Sequence, residues 1–371
     1  MFTDEKEIIK LASKPMCTLE DLSKVNILCK GKIDWGYLFY IMLHHRITAI
    51  VYSNLERAGS LKTIEKHVRR AMKTECIRIA EKNKLLLSEI NNINGKLKEN
   101  NIYFVNIKGA ILAHRLYPST DFREFTDIDL LIKKEDAVAV TKCLNELGYI
   151  QGEYDFSSNT IKPYTRKEII EKTINSHESA EFVKLANSPF FSSVIVDLNY
   201  NIIWNEHYKK DGCRVDLFTS KERKSVALNG VQYFHLLPED ELLQLCCHLY
   251  SEAVFFAFDP FWERDKTDIN IIKMCDIYLL IKKCDINWNE FRSNVNLKGL
   301  VEPVCYALDC VMQFYDDLKI PFDIHGFFGC KTPKERLINK YYDKNFCAKF
   351  WNCSYEDRLF NVQKKYIEID S

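Results

Sequence analysis

Two aspartates with a spacing suited to metal binding precede an apolar run. Asp127 and Asp129 are separated by one residue, and Leu130 to Ile132 follow them. In a strand, side chains at i and i+2 lie on one face, about 6.6 Å apart along the chain. Two carboxylates so placed can share a pair of divalent cations, which lie ~3.5–4 Å apart in two-metal sites. Because every ligand is an oxygen, the pattern favours Mg²⁺ over zinc, although a surface strand with its acids in solvent would look the same.

Two basic residues lie close to this pair of aspartates in the sequence. Lys108 and Gly109 follow the extended-looking run Ile102–Ile107 and precede a predicted helix. A helix N-terminus offers free N–H groups to an anion, and a glycine there lets a phosphate approach the backbone. Arg123 comes between that helix and the aspartates. The order strand, Lys-Gly, helix, arginine and Asp-x-Asp predicts a triphosphate bound beside its metal ions.

Composition excludes several other kinds of phosphate site. The chain has 371 residues, and its 52 Lys and Arg balance its 52 Asp and Glu. This balance gives no sign of a whole-chain nucleic-acid or membrane binder. Only 12 residues are glycine, less than half the usual ~7 %. Glycine-rich dinucleotide, P-loop and kinase motifs are all missing from the sequence, as is the hydrolase motif G-x-S-x-G.

The cysteines and the first residues indicate where the protein resides. Most of the 14 cysteines stand in apolar or helical stretches and none forms C-x-x-C, which predicts reduced core thiols rather than disulfides or a structural zinc site. The start of the chain is charged, and no apolar run approaches the ~18 residues of a membrane helix. We therefore expect a cytoplasmic protein that does not use a membrane.

The elements that must position the charged residues alternate between strand and helix. Periodicity predicts helices over residues 5–100 and again from Pro238, with short strands between them. Helices at Ala110–Tyr117, Lys134–Leu147 and, within an insertion over residues 155–190, Arg166–Leu185 separate the strands. The predicted strands are Ile102–Ile107, Asp127–Ile132, Val194–Leu198, Arg214–Leu217 and Val226–Leu236.

This pattern predicts an α+β protein in three parts. They are an N-terminal helical region over residues 1–100, a mixed-sheet core over residues 101–236 and a C-terminal helical domain over residues 237–371. The site is expected between the core and the helices. Between Lys62 and Lys84 a long helix carries eight Lys or Arg against three Glu, which indicates a solvated face or, alternatively, a wall beside an anionic ligand.

The charged stretch resembles a known family. The order Lys108-Gly109, Tyr117-Pro118, Arg123 and Asp127-Ile-Asp129-Leu-Leu-Ile is similar to that of an uncharacterised bacterial nucleotidyltransferase family of the DNA polymerase β superfamily. The resemblance implies a polymerase β-like mixed-sheet core. It also implies two Mg²⁺ ions, with Mn²⁺ as an alternative, bound by Asp127 and Asp129.

The resemblance also implies a third carboxylate. Asp197 matches the strand that bears it, while Asp216, also on a predicted strand, competes for the role. Asp197 would complete the metal site and accept the acceptor's proton. Two positions depart from the pattern, since Ala110 stands where a serine is usual and Asn199 where relatives often carry histidine.

The implied activity is transfer of a nucleoside monophosphate from a nucleoside triphosphate, with ATP among the donors, to an acceptor, with release of pyrophosphate. Lys108, Gly109, Ala110 and Arg123 would bind the triphosphate, and Gly109→Val is expected to weaken that binding more than stability. The acceptor, whether small molecule, peptide, protein or RNA, is left open, as is the oligomeric state. Two alternatives are a non-catalytic nucleotide- or peptide-binding accessory protein and a nucleotidyltransferase toxin acting on RNA.

Other residues invite weaker hypotheses. His44, His45 and Arg46 could line a nucleotide pocket, but a helix surface is the commoner explanation for such residues. His248 lies beside Cys246 and Cys247, where a core histidine is the simpler interpretation than a metal cluster. The run Trp204 to His207 follows the Asp197 strand and could reach the acceptor.

Overall fold

The computed structural model describes residues 3–174, 178–201, 223–228, 231–255, 269–343, 345 and 347–360. Its contacts divide the chain into two compact units. One comprises Met1–Ile77 and Leu242–Ser371, and the other Arg78–Glu241. All the described residues predicted to bind metal or triphosphate belong to the second unit.

A mixed sheet forms the centre of the second unit. Among the described residues six strands pair in the order β1-β2-β6-β5-β3-β4. The β2–β6 pair is parallel, and every other pair in this sheet is antiparallel. The unit is therefore α+β with a mixed sheet, as the sequence predicts. The strands are β1 (Phe104–Asn106), β2 (Ile128–Ile132), β3 (Ile150–Asp155), β4 (Thr160–Pro163), β5 (Phe182–Leu185) and β6 (Ser193–Asn199).

The helices and a separate hairpin complete this unit. All five residues of β2 are buried, because the strand is central and wholly apolar apart from Asp129. A two-stranded antiparallel sheet follows the main sheet in the sequence. The elements are α5 (Lys66–Glu99), α6 (Gly109–Leu116), α7 (Ala137–Glu146), α8 (Arg166–Ile174), β7 (Lys224–Leu228) and β8 (Val231–His235).

The prediction for residues 155–190 was wrong in part. The expected helix Arg166–Leu185 ends at Ile174, and the chain returns as β5 inside the sheet rather than looping out as an insertion. Phe182 and Val183 are buried there by pairing with β6 on one side and β3 on the other. Long-range pairing therefore outweighs the local helical periodicity. The expected strand Val226–Leu236 is two paired strands, and Arg214–Leu217 lies outside the described residues.

Helix α5 holds the site loops through polar contacts. Asn83 donates from its side chain to the carbonyls of Thr120 and Arg123, each at 2.8 Å. The side-chain amides of Asn94 and Asn106 exchange two hydrogen bonds of 3.1 and 3.0 Å. Because buried polar groups need partners, these bonds fix the strand before Lys108 and the loop before Asp127 against one helix.

The described part of the first unit consists mainly of helices, with one antiparallel pair of short strands. Helix α12 buries ten of its fourteen residues, and His45 lies fully buried with Nε2 2.8 Å from the carbonyl of Leu359. No helix of the described residues is both long and apolar enough to cross a membrane. The elements are α1 (Thr3–Ala12), α2 (Leu19–Leu28), α3 (Trp35–His44), α4 (Thr48–Arg57), α9 (Pro238–Phe255), α10 (Ile271–Lys283), α11 (Trp288–Leu297), α12 (Val301–Phe314), α13 (Ile324–Phe328), α14 (Lys334–Ile338), β9 (Lys340–Tyr342), β10 (Ala348–Phe350) and α15 (Tyr355–Phe360).

Candidate active site

The sheet brings three aspartates together. Asp129 in β2 is the register partner of Asp197 in the parallel neighbour β6, and neighbouring strands lie about 4.7–4.9 Å apart. Asp127 precedes β2 by one residue, two positions before Asp129. Asp129 is buried, whereas Asp127 and Asp197 are half-buried. The three carboxyl groups that the sequence singles out thus belong to one cluster on one face of the sheet.

Lys108 supplies the counter-charge. Its Nζ lies 2.8 Å from Oδ1 of Asp129, and both side chains are largely removed from solvent. Burial by itself would lower the pKa of Lys108, but the negative charges of Asp129, Glu178 and Asp127 raise it above its ordinary value. Lys108 is therefore a permanent cation that is paired with a buried carboxylate.

The backbone at Lys108 is strained. The residue stands at the N-cap of α6 with φ +54° and ψ −134°, a region that residues with a Cβ seldom adopt, at a cost of about 1–3 kcal/mol. The turn from β1 into α6 therefore holds the lysine in a costly conformation. In this conformation the ammonium group of Lys108 reaches Asp129.

The acidic groups of the cluster repel one another. Burial, with the nearby charge of Asp127, raises the pKa of Asp129 to about 6, although Lys108 opposes the shift. Burial likewise raises the pKa of Asp197 well above its ordinary value, and Glu178, Asp127 and Asp129 add to the effect. Carboxylates packed in this way need further positive charge if all of them are to be ionised.

Asn199 lies two residues after Asp197 at the end of β6. It is fully buried, and its side-chain amide donates to Oδ1 of Asp129 over 3.4 Å. This amide can orient the carboxylate, but unlike a histidine it cannot exchange a proton near neutral pH.

Glu178 was missed by the sequence analysis. It forms an isolated antiparallel bridge with Asn199, and its charge acts on Lys108, Asp129 and Asp197. No spacing in the sequence indicates it, because it lies in the segment predicted to be an insertion. Pairing between distant strands brings it to the cluster.

Gly109 has a packing role that the sequence did not indicate. A Cβ at position 109 would lie 2.7 Å from Cβ of Phe125 and 3.5 Å from Nη1 of Arg123. A side chain at this position would therefore displace the loop that leads to Asp127. The expectation that Gly109→Val weakens binding more than stability needs correction, because that variant also disturbs the fold.

Arg123 and Ala110 lie at the same end of α6. Arg123 is 8 % exposed and donates from Nη1 to the carbonyl of Glu124 over 3.1 Å. Ala110 is buried and offers only its backbone N–H. The guanidinium of Arg123 and the N-terminal N–H groups of α6 together favour binding of an anion at this end of the helix.

The donor set fits a hard divalent cation. All the acidic ligand atoms at the cluster are carboxylate oxygens, which suit Mg²⁺ or Mn²⁺. In the part of the chain that the structure describes, no group of three or more His, Cys, Asp or Glu residues is already arranged as a metal-ligand set. At this cluster the ammonium of Lys108 is bonded to Asp129, the most buried of the carboxylates.

The remaining candidates lie elsewhere or outside the described residues. His248 is paired with Glu252, Nε2 to Oε1 at 2.9 Å, in the first unit. No cysteine of the described residues forms a disulfide. Asp216, the competitor of Asp197, and the run Trp204 to His207 lie outside the described residues.

Comparison with known proteins gives the family. No curated protein sequence matches the chain. One matching crystal structure is that of an antigenic nucleotidyltransferase-like protein from Paracoccidioides brasiliensis, 17% identical, with 63% of this chain and 89% of that chain covered at a TM-score of 0.32. The model of an uncharacterised nucleotidyltransferase family matches residues 31–316, which include the whole cluster. The chain therefore belongs to this family of nucleotidyltransferases.

Proposed function

We propose that this protein is a magnesium-dependent nucleotidyltransferase of the DNA polymerase β type. It would transfer a nucleoside monophosphate from a nucleoside triphosphate to an acceptor and release pyrophosphate. The observation that carries the proposal is the meeting of Asp127, Asp129 and Asp197 beside Lys108 on neighbouring strands. Membership of the family supports the type of reaction.

Asp127, Asp129 and Asp197 are the residues that would hold two Mg²⁺ ions. When bound, such ions neutralise the charge that develops on phosphate oxygens during transfer. Lys108, Arg123 and the backbone N–H groups of Gly109 and Ala110 would bind the triphosphate. The basic groups that would bind the triphosphate thus lie next to the carboxylates that would bind its metal ions.

The proposed reaction needs one proton acceptor. Asp197 takes the proton of the acceptor's hydroxyl, the freed oxygen bonds to the α-phosphorus, and the bond from that phosphorus to the bridging oxygen breaks. Pyrophosphate leaves with the bonding electrons. Lys108 and Arg123 hold the departing phosphates in line with the attacking oxygen.

The test is transfer of label from each of the four α-³²P triphosphates, with Mg²⁺ or Mn²⁺, to an extract of the cells that make the protein. We expect transfer by the wild type and by the control Glu153→Gln, whose exposed side chain lies on β3. We expect none by Asp127→Asn/Asp129→Asn, and circular dichroism verifies that this variant is folded. Transfer by that double variant would refute the assignment.

The same experiment separates the alternatives. Mass spectrometry of the labelled product identifies the acceptor, and label on RNA would favour a toxin. Metal-dependent binding of a triphosphate in calorimetry without any transfer would favour an accessory protein that only binds the nucleotide.

A further inference from the structure

A β-bulge sets the position of Glu178. Phe182 is the partner of Val196 on β6, whereas Glu178 is the partner of Asn199. Glu178 lies four residues before Phe182, whereas Asn199 lies only three residues after Val196. The strand that contains Glu178 therefore has one extra residue between the two pairs. The N–H of Ser179 donates to the carbonyl of Leu198 over 2.9 Å, which confirms the shifted register. Bulges of this kind redirect side chains and recur beside active sites.

The shifted register turns Glu178 toward the cluster. Asn199 lies two residues after Asp197 on β6, so both side chains are on one face. The hydrogen bond from the Asn199 side chain to Asp129 confirms that this face of the sheet carries the aspartate cluster. Residues directly opposite each other in an antiparallel pair also share a face. Glu178, opposite Asn199, is therefore on the same face as Asp197. Without the extra residue, Ser179 would take that position.

The charge of Glu178 acts on the same groups as the aspartates do. Its charge acts on Asp197, Asp129 and Lys108. Glu178 is thus an electrostatic member of the cluster on its Asp197 side.

The charges of these five groups do not balance. Glu178, Asp127, Asp129 and Asp197 carry four negative charges when ionised, and Lys108 carries one positive charge. Negative charge is therefore in excess among these five groups, and Asp129 among them is buried, which is costly unless cations lie close by. Two divalent cations would supply four positive charges at this point.

We propose that Glu178 is a fourth acidic ligand of the divalent-cation centre, on the side of Asp197. This proposal rests on the proposed function, because it assigns one more residue to the same site. It gives the acceptor side of the centre two carboxylates, Asp197 and Glu178, while Asp127 and Asp129 face the triphosphate. It also accounts for the bulge, which places a glutamate where regular pairing would place a serine.

Binding of Mn²⁺ alone, measured by electron paramagnetic resonance and calorimetry, tests this role without any acceptor. We expect Glu178→Gln to weaken binding of at least one Mn²⁺ by about tenfold or more, in line with the usual effect of losing a group that supports a metal. The control Glu153→Gln should bind as the wild type does. Circular dichroism verifies that each variant is folded, and Glu178→Asp, which keeps the charge, replaces Glu178→Gln if the latter does not fold.

The outcomes separate the two proposals. If Asp129→Asn weakens Mn²⁺ binding and the substitutions at position 178 leave both the affinity and the number of bound ions unchanged, Glu178 is not a ligand and the proposed function stands. If the wild type binds no Mn²⁺, even with a non-hydrolysable triphosphate, the metal-dependent function itself fails.

Discussion

Replacing Lys108 by methionine should have opposite effects on the two ligands of the site. The substitution keeps most of the length of the side chain, but it removes the ammonium that lies 2.8 Å from Oδ1 of Asp129. Since Lys108 would compete with the proposed metal ion for this carboxylate, its loss should strengthen binding of Mn²⁺. Since it is also proposed to hold the triphosphate, its loss should weaken nucleotide binding.

The magnitude follows from the geometry of the pair. At 2.8 Å and an effective dielectric constant of about 20, two unit charges attract by ~6 kcal/mol before desolvation is counted. Removing one partner of a buried pair costs about 3–5 kcal/mol, because the other charge is left uncompensated. We therefore expect Lys108→Met to lower the free energy of unfolding by about 3–5 kcal/mol without metal.

Mn²⁺ should reverse much of this loss. Because Asp129 no longer has to release a lysine, a gain of about 3 kcal/mol in binding would strengthen Mn²⁺ affinity about 100-fold. Any ligand that binds only the folded state raises its stability according to its concentration and affinity. The melting temperature of the variant should thus increase more with added Mn²⁺ than that of the wild type.

Three measurements check this reasoning. They are urea unfolding with and without Mn²⁺, Mn²⁺ titration, and triphosphate titration by calorimetry. The matched control is Lys162→Met, whose exposed ammonium lies 3.5 Å from Glu153 and should contribute less than about 1 kcal/mol. An unchanged or weaker Mn²⁺ affinity in Lys108→Met, with stability like that of the control, would refute the role of the pair.

Two further predictions concern packing and pH. Gly109→Ala should lower the free energy of unfolding by about 1–3 kcal/mol, because its Cβ would lie 2.7 Å from that of Phe125; chemical denaturation measures this, and unchanged stability would contradict the packing role. Despite its burial, Glu252 has a pKa held well below its ordinary value by Lys273 and His248. It therefore contributes stability above its unfolded pKa of about 4.3, which is lost as the pH falls below that value. Unfolding free energies from pH 7 to 3 should fall more steeply in the wild type than in Glu252→Gln, and equal slopes would exclude this contribution.

Local order in the sequence was enough to predict part of the cluster, and the resemblance added Asp197. Asp127 and Asp129 are two residues apart at the head of an apolar strand, and strand periodicity depends on neighbouring residues alone. The same holds for Lys108, which lies between a short strand and a helix start. The scarcity of glycine excluded phosphate sites built on glycine-rich loops without reference to any fold.

Pairing between distant residues decided the rest. Asp197 is brought to Asp129 by a parallel strand pair, and Glu178 is brought to Asn199 by a bulge. Register depends on which strands meet, and a shift of one residue reverses the face that a side chain occupies. The helix predicted over residues 166–185 was wrong at residues 182–185 for the same reason, since β5 is stabilised by neighbours far along the chain.

The types of chemical group were thus determined by the sequence, and their partners by the tertiary structure. A lysine, an arginine and paired aspartates in this order predict a site for phosphate and metal. That Lys108 is bonded to Asp129 and that Gly109 packs against Phe125 depend on distances across the sheet. Sequence spacing does not contain those distances, because they result from the packing of the whole unit.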